Sequence, residues 1–371
     1  MLLILTFFAT FLLAQEDCVG DRYLEEIFSV DVQYEVEYGE NINQTLLGSD
    51  YTQTLYMDVY SPSNDTLENR PLIFFMFGGS FIGGSKSNSD IVALCNQYAQ
   101  RGYVAVAIDY RLSPVLIFNA NEEVAYKAVL KAMHDVKAAI RYFRMMDENS
   151  PEVYRIDSER IFTGGVSAGA IAAVNAGYLN EYEEVPSFLL DDYEALGGIE
   201  GTSGNNGYDS SFNGIVNLCG AVGNQDWIIE NDIPVVSMHG DQDSTVPYDD
   251  NLVTLFGLNI QIDGSYIIHQ RMQELGNYSD LHTYVGQDHV PFTSNLEFES
   301  EFTSSFLYEV VCSDDGTAGD INDDGQINVL DIVTLVNIIL SGEFQTSGDL
   351  NNDEENNVLD IVILIQMILN T

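Results

Sequence analysis

The pentapeptide Gly-Val-Ser-Ala-Gly at residues 165–169 places one serine, Ser167, among small residues. An apolar run at 160–166 leads into it and a run of helix formers follows, which predicts a tight turn from a strand into a helix. Glycines permit such a strained turn and a close approach between helix and strand. A serine at the turn can act as a nucleophile if a neighbouring base takes its proton.

The base is expected to be one of five histidines. His289, within VGQDHVPF, follows a predicted strand in a loop, from which an imidazole can reach a serine at the strand edge. An ordinary surface histidine is the alternative. The other four lie within or at the ends of predicted helices and strands, and they are His134, His239, His269 and His282.

An acid must hold the base in the correct tautomer, and HGDQDSTVPY at 239–248 offers two just past a predicted strand. They are Asp241 and Asp243, and Asp243 is the preferred candidate. Each could instead be a turn residue that accepts backbone hydrogen bonds. The chain order is then Ser, Asp, His.

A third group of residues could stabilise an oxyanion. FFMFGGSFIGG at 74–84 puts glycines and a serine directly after an apolar strand. The backbone N–H groups of Gly79 and Ser80 are candidate donors, with that of Ala168 as a third. A simple glycine turn is the alternative.

The sequence predicts alternating strands and helices that would position these residues. Strands are predicted near 29–38, 51–60, 71–77, 104–110, 160–166, 214–220, 234–240 and 281–286. Helical spacing appears at 87–101 and 122–143 and near 295–310. The alternation predicts a mainly parallel, three-layer α/β sheet.

Four segments together resemble the carboxylesterase branch of the α/β-hydrolase family, over roughly residues 45–310: FGGSF, DYRLSP, GGVSAGA and HGDQDSTVP. The resemblance implies a three-layer α/β-hydrolase sandwich and an acyl-enzyme mechanism without a cofactor. By matching motifs, it implies Ser167 as nucleophile, Asp243 as acid and His289 as base, with Gly79, Ser80 and Ala168 forming the oxyanion hole. Phe77 stands where the family often has histidine, so the acyl pocket can differ.

The last fifty residues contain two copies of an acidic loop followed by an apolar helix, with NVLDIV at 328–333 and again at 357–362. The first loop, DINDDGQINVLD, has oxygen ligands at the spacing of a twelve-residue Ca²⁺ loop. Its candidate ligands are Asp320, Asn322, Asp324, the Gln326 carbonyl, Asn328 and Asp331. The second loop offers Asp349, Asn351, Asp353, Glu355, Asn357 and Asp360, but has Glu354 where the first has Gly325. An acidic, solvated tail is the alternative.

This paired arrangement resembles a type I dockerin over about residues 319–371. The resemblance implies a structural Ca²⁺ requirement and a cohesin-type protein partner. In that family loop positions 10 and 11 contact the partner, and here they are Val329-Leu330 and Val358-Leu359, identical in the two repeats.

The net charge, the cysteines and the N-terminal segment limit the possible partners and cellular location of the protein. A formal charge of −45, from 58 acidic and 13 basic residues among 371, excludes nucleic acid as a natural partner. Residues 1–14, almost wholly apolar and too short to span a bilayer, are interpreted as a signal peptide, with a buried strand as the alternative. Four cysteines allow three pairings, of which Cys18 with Cys312 is favoured, with Cys95 and Cys219 as buried thiols.

We therefore expect a signal peptide at 1–14, a catalytic domain at 15–312, a linker at 313–318 and a dockerin-like domain at 319–371. The expected function is that of a secreted serine esterase without a membrane span, acting on acetyl or feruloyl esters of polysaccharide. A carboxylesterase or lipase-like enzyme for small esters is equally compatible. A non-catalytic adhesion or scaffold protein on the same fold is the alternative from another class, and a peptidase would usually bring a larger additional domain.

Overall fold

The computed structural model describes residues 18, 20–113, 121–255, 257–291, 296–312, 319–322, 327–341, 344–351 and 356–370. The predicted signal peptide and the predicted linker at 313–318 lie outside these residues. The chain divides into two compact units, Met1–Val311 and Cys312–Thr371. Within the described ranges, no helix is long and apolar enough to cross a membrane.

The first unit is organised around a mixed eight-stranded sheet. In chain order its strands are β1 (Ser29–Gln44), β2 (Asp50–Ser63), β3 (Arg70–Met76), β4 (Val104–Ile108), β5 (Ile156–Val166), β6 (Gly214–Leu218), β8 (Val235–Gly240) and β11 (Ser279–Tyr284). Their spatial order is β1-β2-β4-β3-β5-β6-β8-β11. The strands from β4 to β11 pair in parallel, whereas β1 and β2 are antiparallel additions at one edge.

Helices separate most of the strands, as the sequence predicts. They are α1 (Ser89–Arg101), α2 (Glu122–Asn149), α3 (Pro151–Tyr154), α4 (Ala168–Tyr178), α5 (Leu190–Leu196), α6 (Ser265–Glu274) and α7 (Leu296–Cys312). Helix α2 continues six residues beyond the predicted end at 143 and ends at Asn149.

The helices form layers on both faces of the sheet. Strand β3 is buried along its whole length, and successive side chains of a strand point to opposite faces. Phe75 packs against Tyr98 of α1, and Tyr98 donates a hydrogen bond to Thr303 of α7. Phe74 packs against Phe143 of α2, and α2 contacts α4. The predicted three-layer α/β architecture is therefore confirmed.

A small second sheet forms in a stretch that the sequence left without an assigned element. Strands β9 (Asp250–Leu255) and β10 (Leu258–Gly264) make an antiparallel hairpin, and β7 (Ala221–Val222) pairs with the end of β10. Its apolar side buries Val253 and Ile262 against Ala221 and Val246. Ala221 is distant from the hairpin in sequence, which is why the hairpin is difficult to recognise from its own residues.

The two glycines that flank Ser167 are required by close backbone contacts. A Cβ on Gly165 would lie 2.4 Å from the carbonyl carbon of Gly169. A Cβ on Gly169 would lie 2.1 Å from the carbonyl oxygen of Met76 at the end of β3. Both contacts are with backbone, which cannot move aside, so helix α4 sits directly against β3 and β5 only because both residues lack a side chain.

The cysteines follow the pattern favoured by the sequence. Cys18 and Cys312 are disulfide-bonded, whereas Cys95 and Cys219 are free and buried.

The second unit consists of two short helices, α8 (Val329–Ser341) and α9 (Val358–Asn370). Each follows one of the acidic loops and packs its apolar face against the other. Leu335 and Ile338 of α8 and Leu364 of α9 form this core together with Ile321.

Candidate functional site

Strained backbone occurs where the parallel strands end, as well as elsewhere in the chain. Five non-glycine residues near these ends have positive φ: Ser80 (53°), Phe81 (61°), Ser167 (54°), Cys219 (57°) and Val290 (46°). Such conformations are costly and recur at active sites, where the surrounding structure holds them in place. Because the carboxyl ends of parallel strands share one edge of the sheet, these residues belong to one region.

Ser167, His289 and Asp243 form a continuous hydrogen-bonded chain at this edge. The Nε2 atom of His289 lies 2.8 Å from Ser167 Oγ, and its Nδ1 atom lies 2.6 Å from Asp243 Oδ2. An ionised carboxylate only accepts, so Nδ1 donates to Asp243, and Nε2 of the neutral ring accepts from the Ser167 hydroxyl. The chain therefore joins the three residues singled out by the sequence.

Asp241, the other acidic candidate, has a different set of contacts. Its Oδ1 atom accepts the N–H of Gly286 at 2.6 Å and so holds the loop that leads to His289. Asp288 similarly accepts the N–H of Ser244. Asp241 thus supports the loop, while Asp243 contacts the imidazole.

A second histidine, His239, also contacts the carboxylate of Asp243. Its side chain is fully buried, and its Nε2 atom lies 3.0 Å from Asp243 Oδ2 and 3.0 Å from the Val246 carbonyl oxygen. Both neighbours accept, so Nε2 carries a hydrogen. On the other side, Nδ1 lies 2.7 Å from Ser265 Oγ, which accepts a hydrogen bond from Asn217. No sequence motif predicts this role for His239, and its spacing of four residues from Asp243 is the one available signal.

Asp243 stays ionised although its side chain is buried. Its side chain has no solvent exposure, and burial alone would raise its pKa. Hydrogen bonds from His239 and His289, the charge of His289 and the N–H of Thr245 outweigh burial and hold the pKa of Asp243 well below its usual range. The group therefore stays an acceptor throughout the neutral pH range.

The loop after β3 lies against the serine turn. A Cβ on Gly78 would lie 3.2 Å from the Cβ of Ser167, so the two backbones are in contact. Among the described residues, the N–H groups of Gly79 and Ser80 have no acceptor, and that of Ala168 is the first of helix α4, where no intrahelical acceptor exists. These are the three donors proposed from the sequence. Phe77 shapes the loop by stacking on Tyr110 at 4.2 Å between ring centroids.

Cys219 adjoins the same site. Its sulfur, a carboxylate oxygen of Asp243 and a ring nitrogen of His289 lie within 4.8 Å of one another. Metal binding would need a thiolate, but burial raises the pKa of Cys219. Asp243 and His289 are also engaged with each other, so this cluster does not fit a metal.

The first acidic loop is organised by the carboxylate of Asp331. The side chain is fully buried and accepts the N–H groups of Ile321 (2.8 Å), Asn322 (3.1 Å) and Asn328 (2.7 Å). Three donors to one carboxylate fix the path of the loop around it.

The second acidic loop repeats this arrangement. Asp360 is fully buried and accepts the N–H groups of Leu350 (2.9 Å), Asn351 (3.3 Å) and Asn357 (2.8 Å). The substitution of Glu354 for glycine thus leaves the described part of the second loop in the same arrangement as the first.

The donor set of these loops fits a hard cation. Asp320 is also buried, at 3% exposure, and residues 313–371 contain no lysine or arginine to neutralise these carboxylates. Carboxylate and amide oxygens are the ligands that Ca²⁺ prefers. Four of the predicted ligands, namely Asp324, Gln326, Asp353 and Glu355, lie outside the described residues.

Comparison with known proteins gives matches for both units. Residues 57–223 match the family model BD-FAE, and residues 318–369 match the model of the dockerin type I domain. No curated protein sequence gives a significant match.

The first unit also resembles solved esterase structures. One is Thermogutta terrifontis esterase 2 phosphoramylated by tabun, at 20% identity, with a TM-score of 0.54 and coverage of 78% of this chain and 97% of that one. The apo form of the same esterase gives 21% identity, a TM-score of 0.53 and coverage of 78% and 97%. Its propionate-bound structure is 21% identical, with a TM-score of 0.50 and coverage of 73% of this chain and 94% of that one.

At these identities the structural likeness shows the fold, which is that of the α/β-hydrolases. The chain therefore combines a BD-FAE domain on an α/β-hydrolase fold with a C-terminal dockerin type I domain.

Proposed function

We propose that the protein is a secreted serine carboxylic ester hydrolase whose triad is Ser167, His289 and Asp243. The observation that carries this proposal is the pair of hydrogen bonds, 2.8 Å and 2.6 Å long, that joins the three side chains in one line. The match to the BD-FAE model and the esterase fold of the structural relatives support the same class of reaction.

The mechanism follows from these contacts. His289 takes the proton of Ser167 Oγ as the oxygen attacks the ester carbonyl carbon, and Asp243 stabilises the imidazolium that forms. His289 then gives the proton to the departing alcohol, leaving an acyl group on Ser167. Water activated by His289 releases the acid and restores the serine.

Backbone donors meet the charge that develops on the carbonyl oxygen. The N–H groups of Gly79, Ser80 and Ala168 serve as the oxyanion hole, since they surround the serine turn and have no other described acceptor. Each such donor is typically worth on the order of 10²–10³ in rate.

His239 acts as a positioning residue for the triad acid. It donates to the same Oδ2 atom that receives the hydrogen of His289, so it fixes the carboxylate and shares its charge. Ser265 and the Val246 carbonyl hold the buried ring in place.

The dockerin domain gives the enzyme a tether to a cohesin-type partner. The residue pairs at loop positions 10 and 11 are apolar yet exposed: Val329 64%, Leu330 59%, Val358 67% and Leu359 60%. Exposed apolar residues of this kind, repeated on two equivalent helices, are typical of a protein-binding surface. Secretion is consistent with disulfide-bonded Cys18 and Cys312, since disulfides persist in oxidising compartments.

The triad assignment predicts a sharp difference between two neighbouring acids. With 4-nitrophenyl acetate as substrate, Ser167→Ala and Asp243→Asn should each lower kcat/KM by about 10⁴-fold or more. Asp241→Asn is the matched control; its amide oxygen can still accept the N–H of Gly286, so kcat/KM should fall less than about tenfold. Near-normal turnover in Ser167→Ala, or a larger loss in Asp241→Asn than in Asp243→Asn, would contradict the assignment.

The positioning role of His239 predicts an effect on pH dependence as well as rate. His239→Leu should lower kcat/KM by roughly tenfold or more, yet less than the 10⁴-fold typical of losing the triad acid. The acidic limb of kcat/KM against pH should move to higher pH, because a carboxylate that accepts fewer hydrogen bonds holds the proton of the imidazolium more tightly. His239→Gln retains an N–H donor and should recover most of both effects. A folded His239→Leu variant with an unchanged pH profile would show that the residue is merely structural.

The acidic loops predict two Ca²⁺ sites of unequal affinity. Calorimetry of the full chain should give a tighter site in the first loop, where Gly325 occupies the sharp turn, than in the second, where Glu354 does. Asp320→Ala should therefore weaken the tighter site and Asp349→Ala the weaker one, each by about tenfold or more. Chelation should leave hydrolysis of 4-nitrophenyl acetate unchanged. Loss of the tighter site in Asp349→Ala, or loss of activity in chelator, would contradict this interpretation.

A further inference from the structure

An apolar cavity adjoins the catalytic residues. Its volume is about 750 Å³ when the solvent-filled space at its open mouth is included. Helices α2 and α4 and the β9–β10 hairpin form its walls, and none of the lining residues that the structure describes has a charged side chain. Representative lining residues are Phe81, Val129, Ile171, Trp227, Val253 and Ile260.

Two lining residues, Ile171 and Phe81, relate the cavity to the serine turn and the oxyanion donors. Ile171 lies in the first turn of α4, and its N–H donates to the carbonyl oxygen of Ser167 at 2.9 Å. Four residues of helix rise about 6 Å, so the cavity wall starts within one turn of the nucleophile. Phe81, on the opposite side, directly follows the oxyanion donor Ser80.

The position of the cavity indicates which part of a bound ester would extend into it. The oxygen of the departing alcohol must face His289 Nε2 to receive its proton, and the carbonyl oxygen must face the three backbone donors. No lining residue comes from the His289 loop at 286–291, whereas Phe81 and Ile171 flank the donors and the serine. The acyl chain is the part of the substrate that extends in this direction.

Apart from the aromatic residues Tyr126 and Trp227, the described lining residues include one polar side chain, Asn175, which is already engaged in hydrogen bonds. The Asn175 amide donates to the carbonyl oxygens of Ile171 (2.7 Å) and Ala221 (3.0 Å), and its oxygen accepts the N–H of Gly223 at 2.9 Å. It has little capacity left for a hydroxyl of a sugar. Burial of apolar surface is therefore the main source of binding energy in this cavity.

We propose that this cavity binds the acyl group of the substrate, and that the preferred substrates are esters of apolar acids much larger than acetic acid. The proposal rests on the function given above and narrows it, because it separates aromatic or medium-chain acyl esters from acetyl esters. An acetyl group would leave the cavity unfilled and its apolar wall unused.

The acyl series 4-nitrophenyl acetate, hexanoate and cinnamate tests the proposal directly. The wild-type protein should show kcat/KM at least about tenfold higher for hexanoate or cinnamate than for acetate. Ethyl, butyl and hexyl acetates, which vary the alcohol, should differ little. A preference for acetate, or a steeper dependence on the alcohol, would overturn the proposal; failure to hydrolyse any ester would instead overturn the proposed function.

Two cavity-filling variants and one control test whether the preference for longer acyl groups arises in this cavity. Ile260→Trp narrows the cavity from the hairpin, and Val129→Trp does so from α2; both positions are only partly buried. Each should lower kcat/KM for the hexanoate and cinnamate esters more than for the acetate ester, so that the gain from the longer acyl groups is lost. Leu252→Trp, on the same hairpin but 50% exposed and outside the cavity lining, should behave as wild type. Equal losses on all three esters in both filling variants would show that the cavity does not hold the acyl group.

Discussion

The carboxylate of Asp243 is the point on which the candidate site depends. It is buried, so its charge is maintained only because donors surround it: His239 and His289 at Oδ2, and the N–H groups of Thr245 and Val246 at Oδ1. An unpaired charge in that position would be costly. The position of the His289 imidazole, and through it the direction of the Ser167 hydroxyl, follows from where this carboxylate is held.

The sheet brings these groups together by ending its parallel strands at one edge. Ser167 follows β5, Cys219 follows β6, and the loop with Asp243 follows β8. The turns there are tight enough to force non-glycine residues to positive φ, and Gly165 and Gly169 let helix α4 lie against the strands. Strain of this kind costs about 1–3 kcal/mol per residue and is tolerated because the packed core around it is extensive.

Much of this arrangement is readable from sequence because it depends on local patterns. Continuous apolar runs such as PLIFFMF are buried on both faces, so their strand character does not depend on distant partners. The serine turn and the acidic loops are recognisable because fixed spacings of small or oxygen-bearing residues have few other uses. His239 escaped prediction because Ser265, which contacts its ring, becomes its neighbour only in the folded chain. The β9–β10 hairpin escaped prediction because Ala221, against which it packs, is likewise distant in sequence. The acyl cavity escaped for the same reason, since its walls come from three separate elements.

Covalent labelling of the nucleophile tests the central claim most directly. Paraoxon transfers its phosphoryl group to an activated serine, and one of the structural relatives is Thermogutta terrifontis esterase 2 phosphorylated by paraoxon. After incubation of the folded protein with paraoxon, peptide mass spectrometry should find a single modified residue, Ser167, and the Asp243→Asn variant should react far more slowly because its imidazole is no longer held to take the proton. Modification of another residue, or no modification of the native protein, would contradict the account.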